Sequence, residues 1–140
     1  MYDLDRFKKA QAWDYDTALA EIRSGYKRSH WIWYIFPQIA GLGSSPTAQH
    51  YAIQDLAEAK AYLADPLLRT RLLEITGALL ALPSKDATRV MGYPDDLKLR
   101  SSMTLFREAA PGEPLFQQVL DQYFGGEPDA KTLKILQEKK

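Results

Sequence analysis

The densest concentration of chemically capable side chains runs from Lys27 to Pro46. It holds the basic pair Lys27 and Arg28, then His30, then Trp31 and Trp33, and it closes with the loop Gly41-Leu42-Gly43-Ser44-Ser45-Pro46. Ser45-Pro46 reads as a helix cap followed by a first-turn proline. Free backbone N–H groups, the positive end of the helix dipole and the hydroxyls of Ser44 and Ser45 could therefore hold a phosphate or carboxylate beside Gly41 and Gly43. The loop is not a P-loop, because no Lys-Ser/Thr follows its second glycine, and a dinucleotide fingerprint would need Gly-x-Gly-x-x-Gly after a strand. Plain capping accounts for the same residues without any ligand. Trp31 and Trp33 could stack on a base or another ring, although clustered aromatics also serve as core.

A second stretch runs Tyr93-Pro94-Asp95-Asp96-Leu97-Lys98-Leu99-Arg100-Ser101-Ser102. If Pro94 opens a helix, Asp95, Lys98 and Ser102 project from one side while Leu99, Met103 and Phe106 hold the core side. A cation and a hydroxyl beside carboxylates near a helix start can bind an anion and offer a general base. The ordinary alternative is a first turn with favourable acidic residues and an Asp95–Lys98 ion pair. His30 is either a titrating site residue or a hydrogen-bonded core histidine. Its only histidine partner, His50, lies far along the chain without a carboxylate pattern around it, which argues against a metal site. No Gly-x-Ser-x-Gly elbow supports a serine nucleophile, and the absence of cysteine excludes thiol chemistry, disulfides and Cys-based zinc sites.

The elements that must carry these residues are helical. Of the 140 residues, 46% are hydrophobic and 11% aromatic, which fits one folded domain spanning 1–140 rather than a disordered chain. The 18 basic residues cancel the 18 acidic ones, so broad binding to a phosphate backbone is disfavoured and nucleic acid is a minor hypothesis. No apolar run is long enough to cross a bilayer and the first residues lack the apolar core of a signal peptide, so no membrane role is expected and the cytoplasm is the default.

Helix-type spacing and caps predict a short first helix around Leu4 to Gln11, and a second from Tyr15 to Ser24 capped by Asp14 and stopped by Gly25. A helix opening at Pro46 can continue to Ala64. Others follow from Pro66 to about Leu82, from Pro94 to about Ala109, from Pro114 to Gly125-Gly126, and after Asp129. One or two turns lie between Ser84 and Gly92. The fold class is all-α or nearly so, a multihelical domain of seven or eight short helices, with residues 30–36 either a buried extended segment or a short buried helix. Trp31, Trp33, Phe36, Leu72, Leu79, Leu99, Met103 and Phe106 are expected to be largely buried.

The run from Lys27 to Gln38 with Gly41 to Ser44, together with Tyr51-Ala52-Ile53, Glu58-Ala59, Ala61-Tyr62-Leu63, Pro66-Leu67, Asp95, Lys98-Leu99 and Ser101 to Phe106, resembles a bacterial family known only as domain of unknown function 1810. The resemblance covers nearly the whole chain and implies a mainly helical domain without an assigned activity. Proteins of this kind sometimes carry the name calpastatin, a largely disordered protease inhibitor, a label that the apolar, aromatic composition contradicts. The order of elements is also similar to that of small helical glycosidases acting on ADP-ribosyl and riboflavin-pathway N-glycosidic bonds. Those place a glutamate before a histidine after the Gly/Ser loop, where this chain has Gln49 before His50, so Glu58 or Asp95 would have to supply the carboxylate.

The resulting expectation is a site for a phosphorylated or nucleotide-like small molecule. Its binding residues would be Lys27, Arg28, Trp31, Trp33, Gly41, Gly43, Ser44, Ser45, Lys98 and Ser102, with Asp95, Glu58 and His30 as catalytic candidates for N-glycosidic hydrolysis and with no metal or cofactor. Lys98 and His30 would approach the Gly43 to Ser45 backbone around one cleft. The rival from another class is a protein-interaction module that meets an unspecified partner with an aromatic surface. Converging polar groups in a concave pocket favour the first, and a flat apolar patch favours the second.

Overall fold

Helix α1 (Asp5–Ser24) buries Phe7, Gln11, Tyr15, Ala18 and Ile22, an unbroken stripe at spacings of three and four residues. It is one helix where two were expected. Nothing between Gln11 and Tyr15 breaks it, and Asp14, read as a cap, instead accepts a hydrogen bond from the Tyr34 hydroxyl. Gly25 ends it at φ 85°, a left-handed conformation that favours glycine, and its N–H donates to the Ile22 carbonyl at 2.9 Å.

The computed structural model describes residues 2–139, and among them lie nine helices and no strand. Residues 30–36 resolve into a short helix, α2 (Ile32–Ile35), that ends before Pro37. Helix α3 (Pro46–Tyr51) is capped by Ser45, whose hydroxyl accepts from the Ala48 amide. The run predicted as one helix from Pro46 to Ala64 is broken after Tyr51. Ile53 forms an isolated parallel bridge with Ile39, and Asp55 caps a new helix, α4 (Leu56–Ala64), by accepting from the Glu58 amide. Burying Ile53 against Ile39 outweighs continuing the helix, because both side chains then leave water almost completely.

Asp65 caps α5 (Pro66–Ala81) with two amides, those of Leu67 and Leu68. Helix α6 (Ala87–Met91) is a brief turn capped by Asp86, and α7 (Asp95–Ala109), α8 (Pro114–Phe124) and α9 (Ala130–Glu138) complete the chain. Helix α7 is central, packing against α2, α4, α6, α8 and α9. Every residue from Ser101 to Phe106 is consequently buried, as expected of a helix surrounded on all sides. Eight of these nine helices bury residues in one continuous core, and α3 packs the partly buried Tyr51 against it. Met1 and Lys140, which the single-domain reading includes, lie outside the described residues. No helix among those described is long and apolar enough to cross a membrane.

Candidate functional site

The site begins with Glu21 on α1. Its Oε1 accepts the backbone N–H groups of Arg28 and Ser29 at 2.8 and 3.0 Å and the Trp31 indole N–H at 2.9 Å, while Oε2 accepts the Ser29 hydroxyl at 2.5 Å. Burial would raise the Glu21 pKa, but the Ser29 hydroxyl, the two amides and the indole outweigh it and hold the carboxyl at about 2, against an ordinary 4.5. One carboxylate thus pins the segment after Gly25 and turns Trp31 into the core, where it is fully buried. Two residues later, Trp33 on α2 is only partly buried and faces a cleft.

That cleft has a volume of about 780 Å³ and is walled by four pieces of chain. Trp33 and Gln38 form one side, Leu42 to Ser45 with Ala48 a second, Pro94, Leu97, Lys98, Arg100 and Ser101 a third, and Glu127 to Lys131 the fourth. The second wall is held in place by Gln49, whose side chain donates to the Ser44 carbonyl at 2.9 Å, and by the Ser45 cap. Gly43 is required there: a Cβ would stand 2.6 Å from that of Ala48. Gly43→Ala should cost about 1 to 3 kcal/mol in urea melts, the usual penalty of overpacking. The fourth wall is tied to α7, because the Asp129 amide donates to Thr104 Oγ1 at 2.8 Å and Arg100 Nε donates to the Glu127 carbonyl at 2.9 Å.

Lys98 is the cation best placed in this arrangement. Its ammonium stands 5.1 Å from the Trp33 ring centroid and 3.3 Å from Asp95 Oδ1. Lys98 lines the same cleft as Gly43, Ser44 and Ser45, whereas His30, expected beside it, does not. Arg100 and Lys131 add positive charge to the walls, and Glu127 and Asp129 add negative charge. Sequence reading did not single out these four. Asp129 was legible as a cap, but nothing local indicates that its turn returns to α7.

Several expected members lie elsewhere. Trp31 gives its indole N–H to Glu21, and Ser102 is fully buried with no hydrogen-bond partner for its hydroxyl, because it lies in the part of α7, Ser101 to Phe106, that is buried all round. His30 and Arg28 are exposed, with the Arg28 guanidinium over Tyr26, and neither lines the cleft. Gly41 is likewise exposed at φ 106°, beside Ile135. Lys27 is buried against Trp31. Glu58 is buried on Arg6, whose guanidinium lies 3.0 Å from Oε2, and it accepts the Gln54 amide at 2.7 Å. Asp95 sits between Lys27 and Lys98. Among the described residues, no three histidine or carboxylate side chains gather as a metal would require.

Comparison with known proteins agrees with the fold. The crystal structure of the conserved hypothetical protein Rv1873 from Mycobacterium tuberculosis is similar to this chain at 46% identity, with 97% of each chain covered and a TM-score of 0.95. No curated protein matches the chain. The family model DUF1810, described as a protein of unknown function, matches residues 1–136. With that match spanning nearly its whole length, the chain belongs to the DUF1810 family.

Proposed function

We propose that the cleft beside Trp33 binds a small molecule that combines an anionic group with an aromatic ring, as a nucleotide does. The observation that carries this reading is that Lys98, the Trp33 ring beneath it and the Gly43 to Ser45 backbone line one cleft, so that a cation and an aromatic ring border the same space. A charged donor suits a phosphate, and an indole suits the flat face of a base.

The proposal stops at binding. Asp95 and Glu58, the two carboxylates considered for N-glycosidic hydrolysis, are both committed to cations within the protein, and neither lines the cleft. A general acid or base must reach the proton it moves. The interaction-module reading draws on Trp13, 88% exposed on α1, and Tyr93, 76% exposed before α7. These come from separate elements, and single exposed aromatics are common on folded surfaces.

Adenosine monophosphate (AMP) is a suitable probe, followed by calorimetry and tryptophan fluorescence. Lys98→Ala should weaken it by about 1 to 3 kcal/mol, the worth of a hydrogen bond to a charged group, with a melting temperature close to that of the parent protein. If AMP, ADP-ribose and sugar phosphates all fail to bind or to raise the melting temperature, the cleft is not a ligand site.

A further inference from the structure

Lys27 is a buried cation, its side chain only 4% exposed, and it does not line the cleft. A buried ammonium is costly unless it is paired. Here its Nζ lies 2.7 Å from Asp95 Oδ2, donates to the Ser29 carbonyl and stands 4.8 Å from the Trp31 ring centroid. The other oxygen of the same carboxylate, Oδ1, lies 3.3 Å from Lys98 Nζ. Two ammonium groups therefore share one carboxylate, and only one of them, Lys98, lines the cleft.

We propose that Lys27 sets the charge of the cleft: by neutralising Asp95 from the protein side, it leaves the positive charge of Lys98 available to an anionic ligand. The inference rests on the reading of the cleft as an anion site, and it names Lys27 and Asp95 as positioning residues that act through Lys98. Without Lys27, the carboxylate and Lys98 would form a neutral pair, and a phosphate would have to compete with Asp95 for the one ammonium. The geometry assigns the carboxylate to Lys27 first. That contact is the shorter, and its deeper burial strengthens it, whereas Lys98 is 28% exposed and more screened by water.

A purely structural role for Lys27 makes a different prediction, and three variants separate the two. Methionine at position 27 keeps the stem against Trp31 and removes the charge. Calorimetric titration with AMP at low salt should find Lys27→Met about tenfold weaker than the parent, the scale of one charged hydrogen bond. The double variant Lys27→Met/Asp95→Asn restores the net charge around Lys98 and should return to within about threefold of the parent. Asp95→Asn alone should bind at least as tightly as the parent. Melting curves establish that each variant is folded.

Parent-like binding by Lys27→Met, a double variant as weak as Lys27→Met, or weaker binding by Asp95→Asn would each overturn the inference. Should Lys27→Met fail to fold, Asp95→Asn decides the matter by the direction of its change. The cleft reading fails separately. If the parent does not bind AMP, or binds it as well after Lys98→Ala, both ideas fall, whereas binding that depends on Lys98 but ignores Lys27 removes only the second.

Discussion

Replacing Glu21 by Ala should lower the unfolding free energy by about 3 kcal/mol, because a carboxylate that accepts four hydrogen bonds is removed and the buried Trp31 indole is left unpaired. The loss leaves two part-buried backbone amides, a part-buried hydroxyl and the fully buried Trp31 indole without their acceptor. The same carboxyl gives a pH signature. Its folded pKa, about 2, lies below the ordinary 4.5, so its contribution is fully present above 4.5 and is lost as pH falls toward 2. The gap corresponds to roughly 3 kcal/mol. Urea midpoints of the parent should therefore drop across that window, and Glu21→Gln should flatten the drop. Asp65, whose pKa the hydrogen bond from Lys8 lowers, supplies part of the slope that remains. Equal pH dependence in parent and Glu21→Gln would contradict this role.

The second large effect separates two tryptophans that stand two residues apart. Trp31→Ala should cost about 3 to 5 kcal/mol, since it empties a fully buried site and removes one of the three donors to Glu21 Oε1. Trp33→Ala removes a half-buried ring and should cost no more than about half as much in the same urea melts. Its effect should appear instead in ligand binding, where losing a stacking platform weakens a nucleotide by about 1 to 3 kcal/mol per base. A larger stability loss at Trp33 than at Trp31 would reverse the assignment of wall and core. Because Trp31 and Glu21 share a hydrogen bond, their double replacement should cost less than the sum of the single ones.

Trp33 also marks where sequence reading was incomplete. It was expected in the core with Trp31, Phe36, Leu72, Leu79, Leu99, Met103 and Phe106, and the other seven are buried. Aromatic content argues for burial of a segment but does not say which ring meets a partner such as Glu21. Asp14 and Asp55 show the same limit in opposite directions. Both are competent caps, yet only Asp55 caps a helix, because Ile53 finds Ile39 and interrupts the periodic pattern, whereas the stripe on α1 runs past Asp14 without a break.

The helical class, the caps at Ser45, Asp65 and Asp129, the stop at Gly25 and the apolar stripes of α5 and α8 were all readable from residue order, since each depends on groups within about four residues of one another. The cleft was only half readable. Lys98 and the Gly43 to Ser45 loop could be nominated from their types, but their meeting depends on where α7 crosses the core. The same crossing brings Glu127 to Lys131 to the fourth wall and leaves Ser102 sealed inside. The charge around Lys98 belongs to the same class of property: Lys27 and Asp95 come within 2.7 Å of each other only because Glu21 pins one segment against α1 while packing holds the other at the start of α7. Local rules act over a helical turn, and contacts between segments this far apart in the chain are decided by how whole helices bury their faces against one another.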